Sequence, residues 1–215
     1  GTIKTPMNEH DVREACKLFT DNDIKTTAVS FIWSVLNSSH EIRAAQITKE
    51  MMPDAIITIG SELYPQIREY TRTSTAITNA YLSPILRNYV SVINEYFINL
   101  GGGNNVRYFQ SNGGLATGKV MSERSVYAIN SGPASAPQAG LSVCNPFDYK
   151  NIITVDMGGT SFDITLTKDG NTNLNKNIDF LRYRIGIPMI QVETLGAGGG
   201  SIGRIDEMGL LQVGP

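Results

Sequence analysis

Cysteine and histidine are scarce in this sequence, which has two of each among its 215 residues. Cys16 and Cys144 do not form a CxxC pair and have no neighbouring histidine, and His10 and His40 stand alone. This spacing excludes the common zinc sites, which need clustered ligands. We expect two buried, reduced thiols, and a disulfide between them is the less favoured alternative.

Charge and long apolar runs are also scarce. Charged residues make up 18% of the chain, the net charge is −2 and the sequence pI is about 5.7. No broad basic face is available for nucleic acid or anionic lipid, so an anion would have to be bound by backbone N–H groups. No apolar run reaches the roughly 18 residues of a membrane-spanning helix, and no signal peptide opens the sequence. We therefore expect a cytoplasmic protein that binds neither nucleic acid nor membranes.

What is present is enough apolar surface for a packed core. The hydrophobic content is 41%, and the length suits one substantial domain or two small ones. The sequence begins with Gly1 rather than with Met and ends Val213-Gly214-Pro215. From these ends we expect a piece of a longer protein.

Helical and extended patterns alternate in the first 60 residues. Residues 8–20 and 39–51 carry apolar side chains at helical spacing, which predicts two amphipathic helices. Residues 27–33 and 55–59 are short runs rich in β-branched side chains, which predicts two buried strands. This alternation favours an α/β layer with parallel strands.

A long helical pattern runs through residues 71–100. Apolar side chains recur there every three or four residues, at Ile77, Tyr81, Ile85, Tyr89, Ile93, Phe97 and Leu100. We expect this stripe to pack in the core. Pro84 predicts a kink or a new helix start with Ser83 as the N-cap, and the glycines at 101–103 should end the helix.

Further elements follow toward the end of the chain. Residues 106–109 are predicted as a strand and residues 134–143 as a helix of small residues. The break at Ser131-Gly132-Pro133 lies between them. We place a domain boundary there, with a first domain at 1–133 and a second at 134–215.

The strongest local signal is a glycine turn between two strand patterns, at residues 152–156 and 162–166. The turn region runs from Asp156 to Asp163, and its adjacent glycines let backbone N–H groups converge on an anion. Asp156 stands at the end of a strand, where a carboxylate can hold a hydrated Mg²⁺ or orient a water beside phosphates. An ordinary hairpin turn explains these residues equally well when they are taken alone.

A second glycine cluster lies near the end of the chain, where seven of the 21 glycines fall between Gly196 and Gly214. The motif GxGxxG is matched by Gly198, Gly200 and Gly203, but a dinucleotide fold needs a long helix directly after this motif. The residues that follow leave no room for one. We therefore expect a loop near a nucleotide or a substrate, and plain glycine turns are the alternative.

Two weaker candidates remain. The run from Ser111 to Gly114 follows a strand pattern, as ligand loops do in α/β sheets, and a simple turn is as compatible with it. Arg68 and Arg72 could bind a phosphate or carboxylate bidentately, although solvated charges are slightly favoured. The motifs of P-loop proteins, serine hydrolases and zinc proteases are absent from the sequence.

Five segments, taken in order, resemble the hydantoinase A/5-oxoprolinase family, which includes N-methylhydantoinases and ketone carboxylase subunits. These segments are Ile67 to Thr75 with Asn79 to Pro84, Gln110 to Gly114, Ser131 to Ala134, Asp156 to Asp163, and Gly196 to Ile202. The resemblance covers nearly the whole chain and is clearest over residues 62–215. Ser135 departs slightly from the family pattern.

The family is similar to the actin, heat-shock and sugar-kinase superfamily of ATPases. The resemblance therefore implies an α/β fold, namely part of the actin-like (ribonuclease H-like) ATPase fold, with mixed sheets flanked by helices. Residues 1–133 would end the first domain and residues 134–215 would begin the second, with Asp156 to Asp163 as the second phosphate loop. The superfamily's first phosphate loop, an Asp-x-Gly-Gly-Thr near the N-terminus, is absent from this sequence, whose match to that pattern begins at Asp156.

The resemblance also implies an activity, which is ATP-dependent opening of a cyclic amide such as a hydantoin or 5-oxoproline. ATP would phosphorylate the amide oxygen, with Asp156 as the catalytic and Mg²⁺-binding residue. The expected nucleotide-binding residues are Gly113, Gly114, Gly158, Gly159, Thr160, Ser161, Asp163, Gly198, Gly199, Gly200 and Ser201. The expected partners are the cyclic amide and a hydantoinase B-type subunit or domain. An ATP-dependent ketone carboxylase subunit and a non-catalytic nucleotide-binding module are the alternatives.

Overall fold

The structure is a computed structural model that describes residues 1–102, 105–180 and 182–214. It has the predicted mixture of helices and strands, and it divides into two compact units. Unit 1 comprises Gly1–Tyr108, Leu115–Ile129 and Lys176–Ile187, and unit 2 comprises Phe109–Gly114, Asn130–Asn175 and Pro188–Pro215. The assignment of residues 1–133 and 134–215 to two ATPase domains stays a prediction.

Unit 1 is built around two short parallel strands, β1 (Thr26–Val29) and β2 (Ile56–Ile59), with Thr26 opposite Ile56. Unit 1 also contains the helices α1 (Glu9–Asp21), α2 (Ser39–Met51), α3 (Gly60–Leu63), α4 (Glu69–Asn99) and α5 (Gly118–Glu123) and the 3₁₀ turn Ser125–Ala128. The remaining strands follow in the chain as β3 (Arg107–Phe109), β4 (Leu115–Thr117), β9 (Ile178–Phe180) and β10 (Tyr183–Ile185). The parallel β1–β2 pair and its helices confirm the predicted α/β layer.

The predicted helices over residues 8–20 and 39–51 are confirmed as α1 and α2. The side chain of Asn8 caps α1 by accepting a hydrogen bond from the backbone N–H of His10 at 3.1 Å. The strand predicted over residues 27–33 is shorter, because the chain turns after Val29 and Trp33 has a left-handed φ of 58°. Buried Cys16 of α1 packs with Met52 and Ala55 in a small apolar cluster.

The prediction that the apolar stripe of α4 lies in the core is wrong. Ile77, Tyr81 and Ile85 are 56%, 73% and 61% exposed. The buried face of α4 carries small and polar side chains instead, including Thr71, Arg72, Ser74, Thr75, Ala76, Asn79, Ala80 and Ser83. Small side chains allow α4 to approach β1 and β2 closely, and this closer packing determines which face turns inward.

Helix α4 is continuous through Pro84, so a new start at Ser83 is also wrong. The hydroxyl of Ser83 donates a hydrogen bond to the carbonyl oxygen of Asn79 at 2.7 Å rather than capping a helix. The helix ends as predicted, with Gly101 in the left-handed region at a φ of 80°. Gly103, which was predicted to take part in this ending, lies outside the described residues.

Unit 2 holds the antiparallel sheet that contains the strongest sequence signal. Its strand order is β12 (Glu193–Leu195), β6 (Phe162–Lys168) and β5 (Ile152–Met157), and β7 (Asn171–Thr172) also pairs with β6. The remaining elements are the helix α6 (Ser131–Cys144), the 3₁₀ turn Asn145–Phe147, and the strands β8 (Leu174–Asn175), β11 (Met189–Ile190), β13 (Ile202–Ile205) and β14 (Leu211–Gly214). Gly140 lets α6 lie close on β5, since a Cβ there would collide with Thr154 and come within 2.9 Å of Ile152 Cδ1.

Other predictions concern the cysteines, metal sites and membrane-spanning helices. Both cysteines are free thiols, as expected; Cys16 is buried and Cys144 is only partly so. Across the described residues, no group of three or more histidine, cysteine, aspartate or glutamate side chains could hold a metal ion by itself. Within the same part of the chain, every helix is too short or too polar to cross a bilayer.

Candidate functional site

The predicted glycine-turn hairpin is confirmed. Strands β5 and β6 pair in register, with Asp156 opposite Asp163 and Met157 opposite Phe162. The four residues between them, 158–161, form a tight turn in which the N–H of Gly158 donates to the carbonyl oxygen of Ser161 at 3.0 Å. The turn therefore projects from the end of two paired strands, which fixes its position.

Three of the four turn amides are available to a ligand. The N–H of Gly158 is used within the turn, and a direct contact of Gly158 with phosphate stays a prediction. The N–H groups of Gly159, Thr160 and Ser161 donate to no other group among the described residues, and the first two residues are exposed. Together with the two hydroxyls, these three amides make a turn that can bind an anion.

The second glycine loop lies directly against this turn, so the structure brings the two strongest signals together. The N–H of Gly199 donates to the carbonyl oxygen of Gly158 at 2.9 Å, and the N–H of Gly200 donates to that of Gly159 at 2.8 Å. A Cβ on Gly198 would lie 2.7 Å from the Gly158 carbonyl oxygen and 2.8 Å from the Ser161 nitrogen. Only glycine permits this approach of backbone to backbone.

The backbone N–H groups of the second loop, at 198–201, all donate hydrogen bonds within the two loops, so they are not available to a ligand. The N–H of Gly198 donates to Ser201 Oγ at 2.9 Å, and the N–H of Ser201 donates back to the Gly198 carbonyl oxygen at 3.0 Å. The amides from Gly198 to Ser201 are therefore all used within the two loops. Their direct contact with a nucleotide stays a prediction, and what the geometry assigns to them is the positioning of the turn.

Two carboxylates face each other at the base of the turn. Asp156 and Asp163 are cross-strand partners, so their side chains project from the same face of the sheet. Thr194 on β12 lies in the same row and donates a hydrogen bond from Oγ1 to Asp163 Oδ1 at 2.6 Å. The carboxylate of Asp156 has no hydrogen bond or ion pair with any described residue. Two adjacent negative charges repel each other, and a bound cation would relieve that repulsion.

The predicted turn at Ser111 to Gly114 is closed by its own hydrogen bonds. The N–H of Gly113 donates to the carbonyl oxygen of Gln110 at 2.9 Å, and the N–H of Gly114 donates to Asn112 Oδ1 at 2.9 Å. Gly113 has a φ of 80°, and a Cβ on it would lie 2.7 Å from Ile190 Cδ1. Since both amides are occupied, the geometry favours the simple turn, and a nucleotide contact of Gly113 and Gly114 stays a prediction.

The expectation for Arg72, either anion binding or solvation, is wrong on both counts. Arg72 is fully buried, and its guanidinium donates to the carbonyl oxygens of Gln66 at 3.0 Å and Phe31 at 2.6 Å. Glu41 is also fully buried and accepts hydrogen bonds from the N–H groups of Phe31 at 2.7 Å and Ser61 at 2.8 Å. These two buried charges fix the loops that follow β1 and β2, whereas Arg68 stays exposed.

Sequence reasoning missed the buried Glu41 and Arg72. Glu41 gave a weak signal, because it is an acidic residue in the first turn of α2, close to the end of β1, where N–H groups need acceptors. Arg72 gave no comparable signal. Nothing in the spacing of charges indicates burial.

Comparison with known proteins gives consistent matches over the whole chain. The family model described as hydantoinase/oxoprolinase matches residues 72–215, and the model of the hydantoinase/oxoprolinase N-terminal region matches residues 1–52. The chain is 59% identical over 215 residues to the caprolactamase subunit alpha of Pseudomonas jessenii, covering 100% of this chain and 31% of that protein. It is 31% identical over 216 residues to the 5-oxoprolinase of Saccharomyces cerevisiae, covering 99% of this chain and 16% of that protein.

Two solved structures are also similar. The crystal structure of ATP-dependent caprolactamase from Pseudomonas jessenii matches with a TM-score of 0.88 at 58% identity, over 100% of this chain and 31% of that one. A nucleotide-free structure of acetone carboxylase matches with a TM-score of 0.82 at 27% identity, over 100% of this chain and 31% of that one. The chain thus spans about a third of the length of these two proteins.

Proposed function

The chain belongs to the hydantoinase/oxoprolinase family, and we propose that it is part of an ATP-dependent hydrolase that opens a cyclic amide. Its fold is the α/β fold of the actin-like ATPases, in agreement with the sequence-based expectation. We further propose that the first ATPase domain ends near residue 133, which fits the start of the long segment of unit 2 at Asn130.

The observation that carries this proposal is the contact between the two glycine loops. The loop at 198–200 holds the turn at 158–161 through two backbone hydrogen bonds, and three amides of that turn stay available. A fixed set of unpaired N–H groups suits the terminal phosphate of ATP, because it stabilises negative charge without rearranging during the reaction. The relative that is 59% identical is named a caprolactamase, which favours a lactam as the second substrate.

In this proposal the chain's own residues bind and orient the phosphoryl group. The amides of Gly159, Thr160 and Ser161 and the two hydroxyls contact its oxygens. Asp156 and Asp163 are the residues that would hold Mg²⁺, whose charge offsets that of the phosphates when it is bound. Transfer of the terminal phosphoryl group from ATP to the amide oxygen would release ADP and make the ring carbon electrophilic. Water would add to that carbon and the C–N bond would break, with the nitrogen leaving as the amine. A second water would hydrolyse the resulting acyl phosphate to the carboxylate and inorganic phosphate.

We propose that a hydantoinase B-type subunit or domain completes the enzyme. This chain covers 31% of the caprolactamase subunit alpha but 16% of the yeast 5-oxoprolinase, so the latter protein is about twice as long. The extra length fits a second polypeptide that is separate in one relative and fused in the other. We place the enzyme in the cytoplasm, where the thiols of Cys16 and Cys144 would stay reduced.

The test uses the full-length parent protein with its second polypeptide. ATP hydrolysis should depend on an added ring amide, with caprolactam, 5-oxoproline and hydantoin as the arms of the assay. A rate of ATP hydrolysis that is the same with and without each of the three ring amides would contradict the proposal. A ketone carboxylase is the second candidate, supported by the similarity to acetone carboxylase, and it predicts turnover that needs a ketone and bicarbonate instead.

A non-catalytic nucleotide-binding module is the remaining alternative. It predicts that Asp156→Asn leaves the function of the parent protein intact, whereas the enzyme predicts a large loss of rate. The isolated 215 residues should bind ATP poorly, because the first phosphate loop is absent from this sequence. Tight binding and turnover by the isolated chain would contradict the proposed site.

A further inference from the structure

A row of three polar side chains crosses the sheet of unit 2 at the base of the turn at 158–161. Asp156 on β5 lies opposite Asp163 on β6, and Asp163 lies opposite Thr194 on β12. Directly opposite residues share one face of a sheet, with Cβ atoms ~4.5–5.5 Å apart. Thr194 is therefore next to Asp163 but two strand spacings, or about 10 Å, from Asp156. Its hydroxyl can reach only the nearer carboxylate.

The hydrogen bond from Thr194 makes the two carboxylates unequal. Thr194 Oγ1 lies 2.6 Å from Asp163 Oδ1, within the ~2.5–2.7 Å that is typical of a hydroxyl bonded to a carboxylate. A threonine hydroxyl has a single proton to donate, and its β-branched side chain is restricted at χ1. Asp163 is thus held through Oδ1, whereas its Oδ2 and both oxygens of Asp156 have no partner among the described residues.

No basic side chain on this face of the sheet balances the two negative charges. Residues two apart in a strand point the same way, so the described strands β5, β6 and β12 give this face the side chains of Ile152, Thr154, Asp156, Asp163, Thr165, Thr167 and Thr194. Neither aspartate forms an ion pair with a described lysine or arginine. A cation from solution would offset both charges, and Mg²⁺ commonly binds through one or two carboxylates together with phosphates.

We infer that Thr194 is a positioning residue for this cation and acts through Asp163. The inference rests on the proposed function, in which Asp156 and Asp163 would hold Mg²⁺. Metal-binding carboxylates are usually oriented by a hydrogen bond from a neighbouring group, and loss of such a group typically lowers metal affinity or activity about 10- to 100-fold. Thr194 lies on β12, which ends at Leu195, shortly before the second loop. The same strand therefore orients the carboxylate and leads into the loop that holds the turn.

The test measures the binding of Mn²⁺, as a probe for Mg²⁺, to the full-length protein without nucleotide. Thr194→Val removes the hydroxyl with little change in size, and we expect the Kd of Mn²⁺ to rise roughly 10- to 100-fold. Thr194→Ser keeps the donor and should retain most of the affinity. The control is Thr172→Val, which breaks the hydrogen bond between Thr172 and Thr167 at the other end of β6 and should leave the Kd unchanged.

Kinetics of the same variants separate positioning from a structural role. Excess Mg²⁺ should restore the kcat of Thr194→Val, because its defect lies in cation affinity, whereas a damaged fold would not respond. Thr194→Ala removes the same donor and replaces the valine variant if that variant does not fold. The inference is overturned by an unchanged Kd in the valine variant, by an equal loss of affinity in the serine variant, or by a wild-type protein that binds no Mn²⁺.

Failure of this inference is distinguishable from failure of the proposed function. Mn²⁺ binding that depends on Thr194, in a protein whose ATP hydrolysis does not respond to a ring amide, would count against the proposed function only. Amide-dependent turnover with unchanged Mn²⁺ affinity in Thr194→Val would count against the role of Thr194 only.

Discussion

Gly198 lies so close to Gly158 that a Cβ on Gly198 would come within 2.7 Å of the Gly158 carbonyl oxygen. The two residues are 40 positions apart in the chain, and hydrogen bonds from Gly199 and Gly200 hold their loops together. The turn at 158–161 is therefore one half of a two-loop structure. Changes in the second loop should alter phosphate binding without touching a ligand.

Gly198→Ala tests this coupling. The added methyl carbon would lie within 2.8 Å of three backbone atoms of the turn at 158–161, so this turn must shift, at a cost typical of overpacking of ~1–3 kcal/mol. We expect kcat/KM for ATP in the full-length enzyme to fall about 10- to 100-fold. Gly203→Ala is the control, because a Cβ on Gly203 meets nothing within 4 Å. Equal activities of the two variants would refute the coupling.

Asp156→Asn should have opposite effects on activity and on stability. In the proposed site, removal of the charge would weaken Mg²⁺ binding, and since a metal ion contributes several kcal/mol to the transition state, we expect kcat to fall by about 100-fold or more. The same change removes the repulsion between Asp156 and Asp163, which should raise the free energy of unfolding by ~0.2–1 kcal/mol without Mg²⁺. Steady-state kinetics and denaturant unfolding of the full-length protein measure the two effects. A loss of both activity and stability would indicate a structural role instead.

The hairpin of β5 and β6 could be predicted from the sequence, whereas its contact with the second loop could not. Its strands are short runs with β-branched residues, and the glycines lie where a turn must form, so all the information is local. The contact of Gly198 with Gly158 joins distant parts of the chain. Spacing predicted that both loops are functional, but their hydrogen bonds and the loss of free amides follow only from three-dimensional packing.

Helix α4 shows where hydrophobic periodicity misleads. The stripe from Ile77 onward has helical spacing, and this pattern predicted the helix correctly. It also predicted that the apolar face is buried, whereas the opposite face is the buried one. The inner face is recognisable only from its small residues, which matter because α4 packs closely on β1 and β2. An apolar stripe indicates that something covers it, and the sequence does not say whether the cover is the same chain.

The buried charges provide a test of stability. Glu41→Ala leaves the N–H groups of Phe31 and Ser61 without an acceptor. A donor left without a partner in the interior costs ~1–3 kcal/mol, and since two donors lose their acceptor we expect the free energy of unfolding to fall by roughly 2–5 kcal/mol. Glu14→Ala on the exposed side of α1 is the control and should change stability by less than about 1 kcal/mol. A small effect of Glu41→Ala would mean that water replaces the carboxylate.

The hairpin of β13 and β14 should be sensitive to acid through Asp206. Its carboxylate accepts hydrogen bonds from the N–H of Leu210 and the side chain of Gln212, and also from the N–H of Met208, which lowers the pKa of Asp206. Because the folded pKa lies below the unfolded value of about 3.9, this stabilisation is present above that pH and is lost as the pH falls through the folded pKa.

The measurement for Asp206 is an NMR titration of the backbone amides of Met208 and Leu210. Both should shift together, with a midpoint below pH ~3.9, as their hydrogen bonds to the carboxylate are lost. Asp206→Asn is the control, because its side-chain oxygen still accepts hydrogen bonds but has no charge to titrate. A midpoint at or above the ordinary aspartate pKa would show that the carboxylate does not hold the turn. The same shifts in the asparagine variant would assign them to another group.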